Sequence, residues 1–224
     1  MSEQTPRDKP GTTIIRSEGD PEAAFRGPSR LFEAEYELPI LAHACMEPMC
    51  FTASVTRDAC ETWGPTQNPL LLKRLHADAL ALPAERVTVN LTLEGGGFGR
   101  RLAYDYAMEA AAVSKRAGVP VKVVWTRPDD MLHDYFRTPS FHRMRAVIDT
   151  DGQLSAWRHH IITSPLFTHI LGPDVEYPEM YDVAGAADFP YDVGHLLVEY
   201  SPIDVPLQLG SWRSVSHSFN VFAV

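Results

Sequence analysis

Eight consecutive residues, Glu94-Gly95-Gly96-Gly97-Phe98-Gly99-Arg100-Arg101, hold the densest potential for ligand chemistry in this sequence. Four glycines in five positions remove the Cβ atoms that keep a ligand off the main chain, and they permit positive φ. Their N–H groups, beside two arginines and a helix start, suit an anion or the polar edge of a cofactor. Two common phosphate loops are excluded by spacing. A G-x-G-x-x-G pattern begun at Gly95 needs glycine where Arg100 stands, and no Gly-Lys-Ser/Thr closes a P-loop. A tight structural turn is the plain alternative, and the phenylalanine set among the glycines argues against it.

Other chemistry-bearing residues are scattered. His43 and Glu47 stand in an H-x-x-x-E spacing followed by Pro48, which is not the H-E-x-x-H of a zinc protease. Glu47 therefore reads as a structural carboxylate. Gln67 sits on a rigid shoulder just ahead of a helix, and in isolation it is a surface glutamine. His133, Asp134, Tyr135 and Arg137 form a polar cluster that reads as a solvated connection, and Trp212-Arg213 lies in a small, polar, turn-like stretch. The three cysteines, Cys45, Cys50 and Cys60, contain no CxxC. They read as buried free thiols rather than a disulfide framework or a zinc or iron–sulfur site.

The elements that must position these residues follow from periodicity. Val87, Val89, Leu91 and Leu93 alternate with polar residues, which predicts a half-buried strand leading into the Gly-rich loop. Residues 105–117 predict a helix after it, with Asp105 as N-cap and Gly118 as C′ residue. Strands are expected at Phe32–Leu38, Met49–Thr56, Cys60–Trp63 and Leu196–Tyr200, and an inner strand at Val119–Thr126. Asn68 as N-cap and Pro69 at N1 open a helix to about Leu80, with Leu70, Leu71, Leu75 and Leu82 on its apolar face. Arg143–Thr150 and Gln153–Ile162, joined by Asp151-Gly152, predict a hairpin with a type I′ turn. Residues 164–190 read as loop, and Asn220–Val224 as the first turn of an apolar helix or strand.

Composition bounds the function. The 224 residues suffice for one large or two small domains, with 45% hydrophobic and 22% charged residues. A net charge of −9 argues against a nucleic-acid partner, which calls for a basic footprint. No apolar run is long enough to span a membrane. Residues 1–17 read as a disordered leader without the apolar stretch of a signal peptide, so the compartment, cytoplasmic or periplasmic, is not readable.

The ordered set Ala42-His43…Met46-Glu47-Pro48, Thr66-Gln67, Gly95 to Arg101, Val121-Lys122-Val123…Trp125-Thr126-Arg127…Asp129-Asp130 and Gly210…Trp212-Arg213-Ser214-Val215 resembles one family. It is the molybdopterin-binding large subunit of the xanthine dehydrogenase and aldehyde oxidase type. The Gly-Arg-Arg ending and the Trp-Arg-Ser-Val segment look most like the isoquinoline 1-oxidoreductase beta-subunit branch. The implied fold is α+β, with mixed sheets packed with two main helices, as the first part of a molybdopterin-binding domain over residues 18–224.

The resemblance implies a molybdenum–molybdopterin cytosine dinucleotide cofactor and no iron–sulfur cluster in this chain. It implies catalytic roles for Gln67, beside an oxo ligand, and for Arg213, near substrate and metal. Cofactor contacts would come from Gly96, Gly97, Phe98, Gly99, Arg100, Trp212 and Ser214, with Gln67, Phe98 and Arg213 next to the metal. The implied reaction hydroxylates an N-heteroaromatic or aldehyde with oxygen from water and passes electrons to an iron–sulfur small subunit. The family's general-base glutamate lies in a later Gly-rich segment, and no residue here matches it. Catalysis is therefore expected only with the remaining half of the large subunit, and exposed apolar surface is expected near the C-terminal end. Glycine is expected at position 216, where this sequence has Ser216. The alternative is a scaffold or remnant that keeps the fold without metal.

Overall fold

The structure is a computed structural model that describes residues 11–27, 30–166, 181–188 and 190–224. It is a mixed α+β chain with two sheets, and it divides into two units. The chain passes between them after residues 41, 136, 209 and 213.

The first unit holds a five-stranded sheet in the order β1-β9-β8-β7-β2. Its strands are β1 (Thr13–Glu18), β2 (Arg30–Leu38), β7 (Ser140–Ile148), β8 (Leu154–Thr163) and β9 (His195–Pro202). Among the described residues two helices belong to it, α1 (Pro21–Ala24) and α5 (His217–Ala223). The β7–β8 hairpin forms as expected, but its turn is not type I′, because Asp151 does not take positive φ. Gly152 alone does, at φ +80°. The Asp149 carboxylate accepts the N–H groups of Asp151 and Gln153, which closes a three-residue loop ending in a glycine bulge. The expected leader is shortened, since residues 13–18 pair with β9 as strand β1. Residues 1–10 of it, and most of the loop expected over 164–190, lie outside the described residues. On α5, Val221 and Phe222 are exposed.

The second unit carries the Gly-rich loop. Its sheet, in the order β5-β4-β3-β6, comprises β3 (Cys50–Val55), β4 (Cys60–Gly64), β5 (Val87–Leu91) and β6 (Val121–Val124). β4 and β5 are parallel and the other two pairings are antiparallel, so β5 and β6 run the same way on opposite edges. β6 is thus an edge strand rather than the inner strand its apolar run suggests, and Val124 stays exposed. Helices α2 (Pro69–Leu80), α3 (Asp105–Ala117) and α4 (Arg127–Leu132) complete the unit.

Phe51, Ala53 and Val55 of β3 alternate inward and meet Tyr106, Ala107, Ala110 and Ala111 of α3 in one buried cluster. Alanines at this contact let the helix lie close on the sheet. Ser114 fastens it, because its hydroxyl accepts the Val55 N–H and donates to the Val119 carbonyl.

Three local expectations shift. Asn68 does cap α2 through Leu71 N–H, but the buried face is Leu72, His76 and Ala77, while Leu70 and Leu71 point outward. The N-cap of α3 is Tyr104 without a side-chain bond, and Asp105, one residue inside, turns its carboxylate to Arg100 instead. The apparent break at Arg127 is the start of α4, capped reciprocally by Thr126 and Asp129.

Candidate functional site

The Gly-rich loop takes a path that ordinary residues disfavour. Gly96 has φ +105° and Gly99 φ +110°, and Phe98 between them takes φ +55°. A non-glycine residue in that region is strained by roughly 1–3 kcal/mol, so the surroundings must hold it there. A Cβ on Gly97 would lie 2.2 Å from Glu94 Oε1 and 2.6 Å from Gln67 Oε1, so those side chains would have to move. A Cβ on Gly99 would overlap the Ser211 carbonyl oxygen.

Gln67 is the inner brace of the loop. Its Oε1 accepts the N–H of Gly99 at 2.9 Å and of Arg101 at 3.2 Å, and its own N–H donates to the Arg101 carbonyl at 3.1 Å. Two donors facing one end of the amide fix the oxygen there, so the NH2 group faces the other way. That group lies on an exposed side chain and has no hydrogen-bond partner among the described residues. The N–H groups of Gly96, Gly97 and Phe98 likewise donate to nothing among the described residues. The loop therefore presents a row of backbone donors with an amide donor beside it, and the Phe98 ring is half exposed next to them.

The two arginines do not serve as surface anion ligands. Both side chains are fully buried. Arg100 grips Asp105 with two parallel bonds of 2.8 Å, and its Nε lies 2.9 Å from Asp134 Oδ1. The second contact is a close ion pair outside hydrogen-bonding alignment. Tyr106, Trp125 and Tyr135 surround the guanidinium within 5.8 Å, 5.5 Å and 5.2 Å. Arg101 donates to the Gly96 carbonyl at 2.8 Å and to Glu47 Oε2 at 2.8 Å. Glu47 also accepts the Gly95 N–H, and its own N–H donates to the Gly95 carbonyl. This matches the structural reading of Glu47: it anchors the loop's first residue. The expected contact from Arg100 to a cofactor thus has no side chain to make it, because the guanidinium is turned into the protein.

The Gly210–Arg213 segment belongs to the same unit. Gly210 N–H donates to the Phe136 carbonyl at 3.0 Å, and the Ser211 carbonyl accepts from His43 Nε2 at 3.1 Å. Trp212 is partly buried, and the exposed Arg213 has no ion pair among the described residues. Ser214, at φ +69°, falls in the other unit, where Val215 is also left-handed at φ +49°. Ser216, where glycine was expected, has φ −68° and a buried hydroxyl that donates to the Tyr181 carbonyl. Its backbone does not call for glycine.

Asp134 is the residue the sequence reading passed over. It is buried rather than solvated, and its carboxylate accepts from His43 N–H, His43 Nδ1 and Tyr135 N–H while facing Arg100. Burial pushes its pKa up, but the His43 bonds and the Arg100 charge outweigh that and hold it below the usual range. The His133-Asp134-Tyr135 run after a Pro-containing helix gave no signal of this, because the main partner of Asp134 is 91 positions away. The thiols are as expected in being free, with Cys45 and Cys60 buried and Cys50 partly so. Burial raises the Cys60 thiol to about 11, which leaves it unreactive.

This fold recurs in solved oxidoreductases. Quinoline 2-oxidoreductase from Pseudomonas putida 86 superposes with a TM-score of 0.74 at 18% identity, over 92% of this chain and 26% of that one. Aldehyde oxidoreductase from Desulfovibrio gigas gives 0.67 at 17%, over 92% and 22%. In sequence, residues 6–203 match the molybdopterin cofactor-binding domain, and the chain belongs to that family. Isoquinoline 1-oxidoreductase subunit beta of Brevundimonas diminuta is 29% identical over 84% of this chain and 23% of its own length. A membrane-bound aldehyde dehydrogenase (pyrroloquinoline-quinone) of Gluconacetobacter polyoxogenes is 30% identical over 96% and 29%. The chain thus spans less than a third of the length of these curated relatives. No helix of the described residues is long and apolar enough to cross a membrane.

Proposed function

We propose that this chain supplies the loop that receives the molybdenum–molybdopterin cofactor of an oxidoreductase acting on an N-heteroaromatic or aldehyde substrate. The observation that carries the reading is the orientation of Gln67, whose amide oxygen is consumed by Gly99 and Arg101 so that its NH2 faces outward. An outward amide, with three backbone N–H groups that have no partner and an arginine that has no ion pair among the described residues, suits an anionic, oxygen-rich group. The residues present therefore fit such a cofactor.

In this reading Gln67 donates to an oxygen of the cofactor without adding charge. Gly96, Gly97 and Phe98 bind its polar edge through rigid main-chain donors that need no reorganisation. Arg213 stabilises negative charge beside it, Trp212 and Ser214 flank that arginine, and the Phe98 ring walls the site against water. When bound, the cofactor supplies the two-electron chemistry that hydroxylates a carbon with oxygen from water. Glu47 is held by Arg101 and Gly95, so a proton-abstracting carboxylate must come from the rest of the protein. The cytosine dinucleotide form, an iron–sulfur small subunit as electron acceptor and the remainder of the large subunit complete the assembly.

The test is metal content by plasma mass spectrometry on protein produced with its genomic neighbours in a host that makes the cytosine dinucleotide cofactor. Near-stoichiometric molybdenum with release of cytidine monophosphate supports the reading. A folded, complete assembly without molybdenum overturns it in favour of a scaffold.

A further inference from the structure

The geometry points to His43 and Asp134 as a positioning pair that fixes the Trp212-Arg213 segment against the Gly-rich loop, an inference that rests on the cofactor reading of that loop. The two side chains are almost wholly buried, at 1% and 2% exposure. His43 Nδ1 lies 3.1 Å from Asp134 Oδ1, and Nε2 lies 3.1 Å from the Ser211 carbonyl oxygen. A carbonyl can only accept. The carboxylate also acts only as acceptor here, because Tyr135 N–H and His43 N–H donate to it and Arg100 faces it. The imidazole therefore bridges two acceptors, one at each ring nitrogen, and ties Asp134 to the Ser211 carbonyl.

That arrangement does a specific job. A peptide unit is planar and trans, so holding the Ser211 carbonyl inward sets the direction of the Trp212 N–H and of the main chain entering Arg213. Gly99 lets the carbonyl lie directly on the loop, where any Cβ would overlap it. Asp134 in turn faces Arg100, whose main chain continues from Phe98-Gly99. One buried chain of polar groups, Arg100–Asp134–His43–Ser211, thus spans the loop and the arginine segment. Neither His43 nor Asp134 offers an atom to a ligand. Their effect passes through the two segments they join.

The experiment is backbone hydrogen exchange read by mass spectrometry on the complete protein, with and without cofactor, together with metal content and turnover. His43→Gln fits the space but carries an acceptor oxygen at one end of its amide, so it cannot donate toward Asp134 and Ser211 from both ends. Loss of one of these buried hydrogen bonds corresponds to about tenfold faster local opening, expected at residues 211–213 with residues 50–55 and 105–117 unchanged. Turnover is expected to fall about 10–100-fold while molybdenum stays within about twofold of wild type. Unchanged exchange at 211–213 overturns the proposal. So does an equal rise across 50–55 and 105–117, which would make the pair a general brace. If His43→Gln does not fold, Asp134→Glu, which keeps the charge but lengthens the tether, is read the same way, and failure of both to fold also overturns it. If the wild type holds no molybdenum, the cofactor reading fails by itself, and the exchange pattern of the metal-free protein still decides the tether.

Discussion

Replacing Gln67 by glutamate separates two jobs that one amide performs. A carboxylate still accepts the N–H groups of Gly99 and Arg101, so the loop keeps its path. The outward NH2, however, becomes an oxygen with negative charge, which repels an oxo-rich anion. Gln67→Glu is expected to unfold within 2–3 °C of wild type yet to retain less than about a tenth of its molybdenum, a loss of roughly 1.4 kcal/mol or more in binding. Equal metal content in the two proteins would count against the donor role. Gly99→Ala makes the opposite division. The alanine must take φ +110° and push its Cβ into the Ser211 carbonyl, so both the fold and the site suffer. A destabilisation of about 2–4 kcal/mol is expected in urea titration, from backbone strain and overpacking together. An unchanged midpoint would mean that the two segments move apart without cost.

Helix α2 shows where sequence ends and tertiary structure begins. Its start depends on neighbours in the chain: the Asn68 side chain bonds Leu71 N–H, and Pro69 already has helical φ. Those signals are local, and they were legible. Its inward face was not, because Leu70, Leu71 and Leu72 are chemically equal and only the sheet selects Leu72. The same limit applies to the site. The glycine loop and Gln67 are visible by residue type, whereas Asp134 acquires its role from His43 across 91 positions and Arg100 from the carboxylates that turn it inward. Burial of a full arginine could not be foreseen from a motif that seemed to offer cations to solvent. Two substitutions in α2 measure the division. Asn68→Ala removes a cap and is expected to lower stability by about 1 kcal/mol. Leu72→Ala empties a fully buried position and should cost about 2–5 kcal/mol, while Leu71→Ala, on the outward side, should cost under about 0.5 kcal/mol. Thermal unfolding ranks the three, and a Leu71 effect equal to that of Leu72 would restore the face read from sequence.

At the scale of the whole molecule, pH sensitivity of the fold should arise in the five-stranded unit. His142 on β7 and His159 on β8 are diagonal neighbours across the hairpin, with His142 Nδ1 2.9 Å from His159 Nε2. One hydrogen lies between those nitrogens, so at least one ring acts as acceptor, and burial disfavours a charge on either ring. Burial lowers His142 to about 4. Burial, with the neighbouring His142 and His160, lowers His159 to about 3. In the unfolded chain both return to an ordinary imidazole value near 6.5. Between about pH 6.5 and 4 the unfolded state therefore binds protons that the folded state refuses, and stability must fall as the pH falls. The full contribution is present above pH 6.5 and declines by roughly 1.4 kcal/mol per pH unit for each imidazole below it. Urea unfolding at pH 7.5, 6.5, 5.5 and 4.5 should show a flat first interval and then a steep drop. His159→Gln, which does not titrate, should make that drop markedly shallower even if its stability at pH 7.5 is lower. Parallel curves for the two proteins would move the acid sensitivity to other groups, and the carboxylates around Arg100 would be the next to replace.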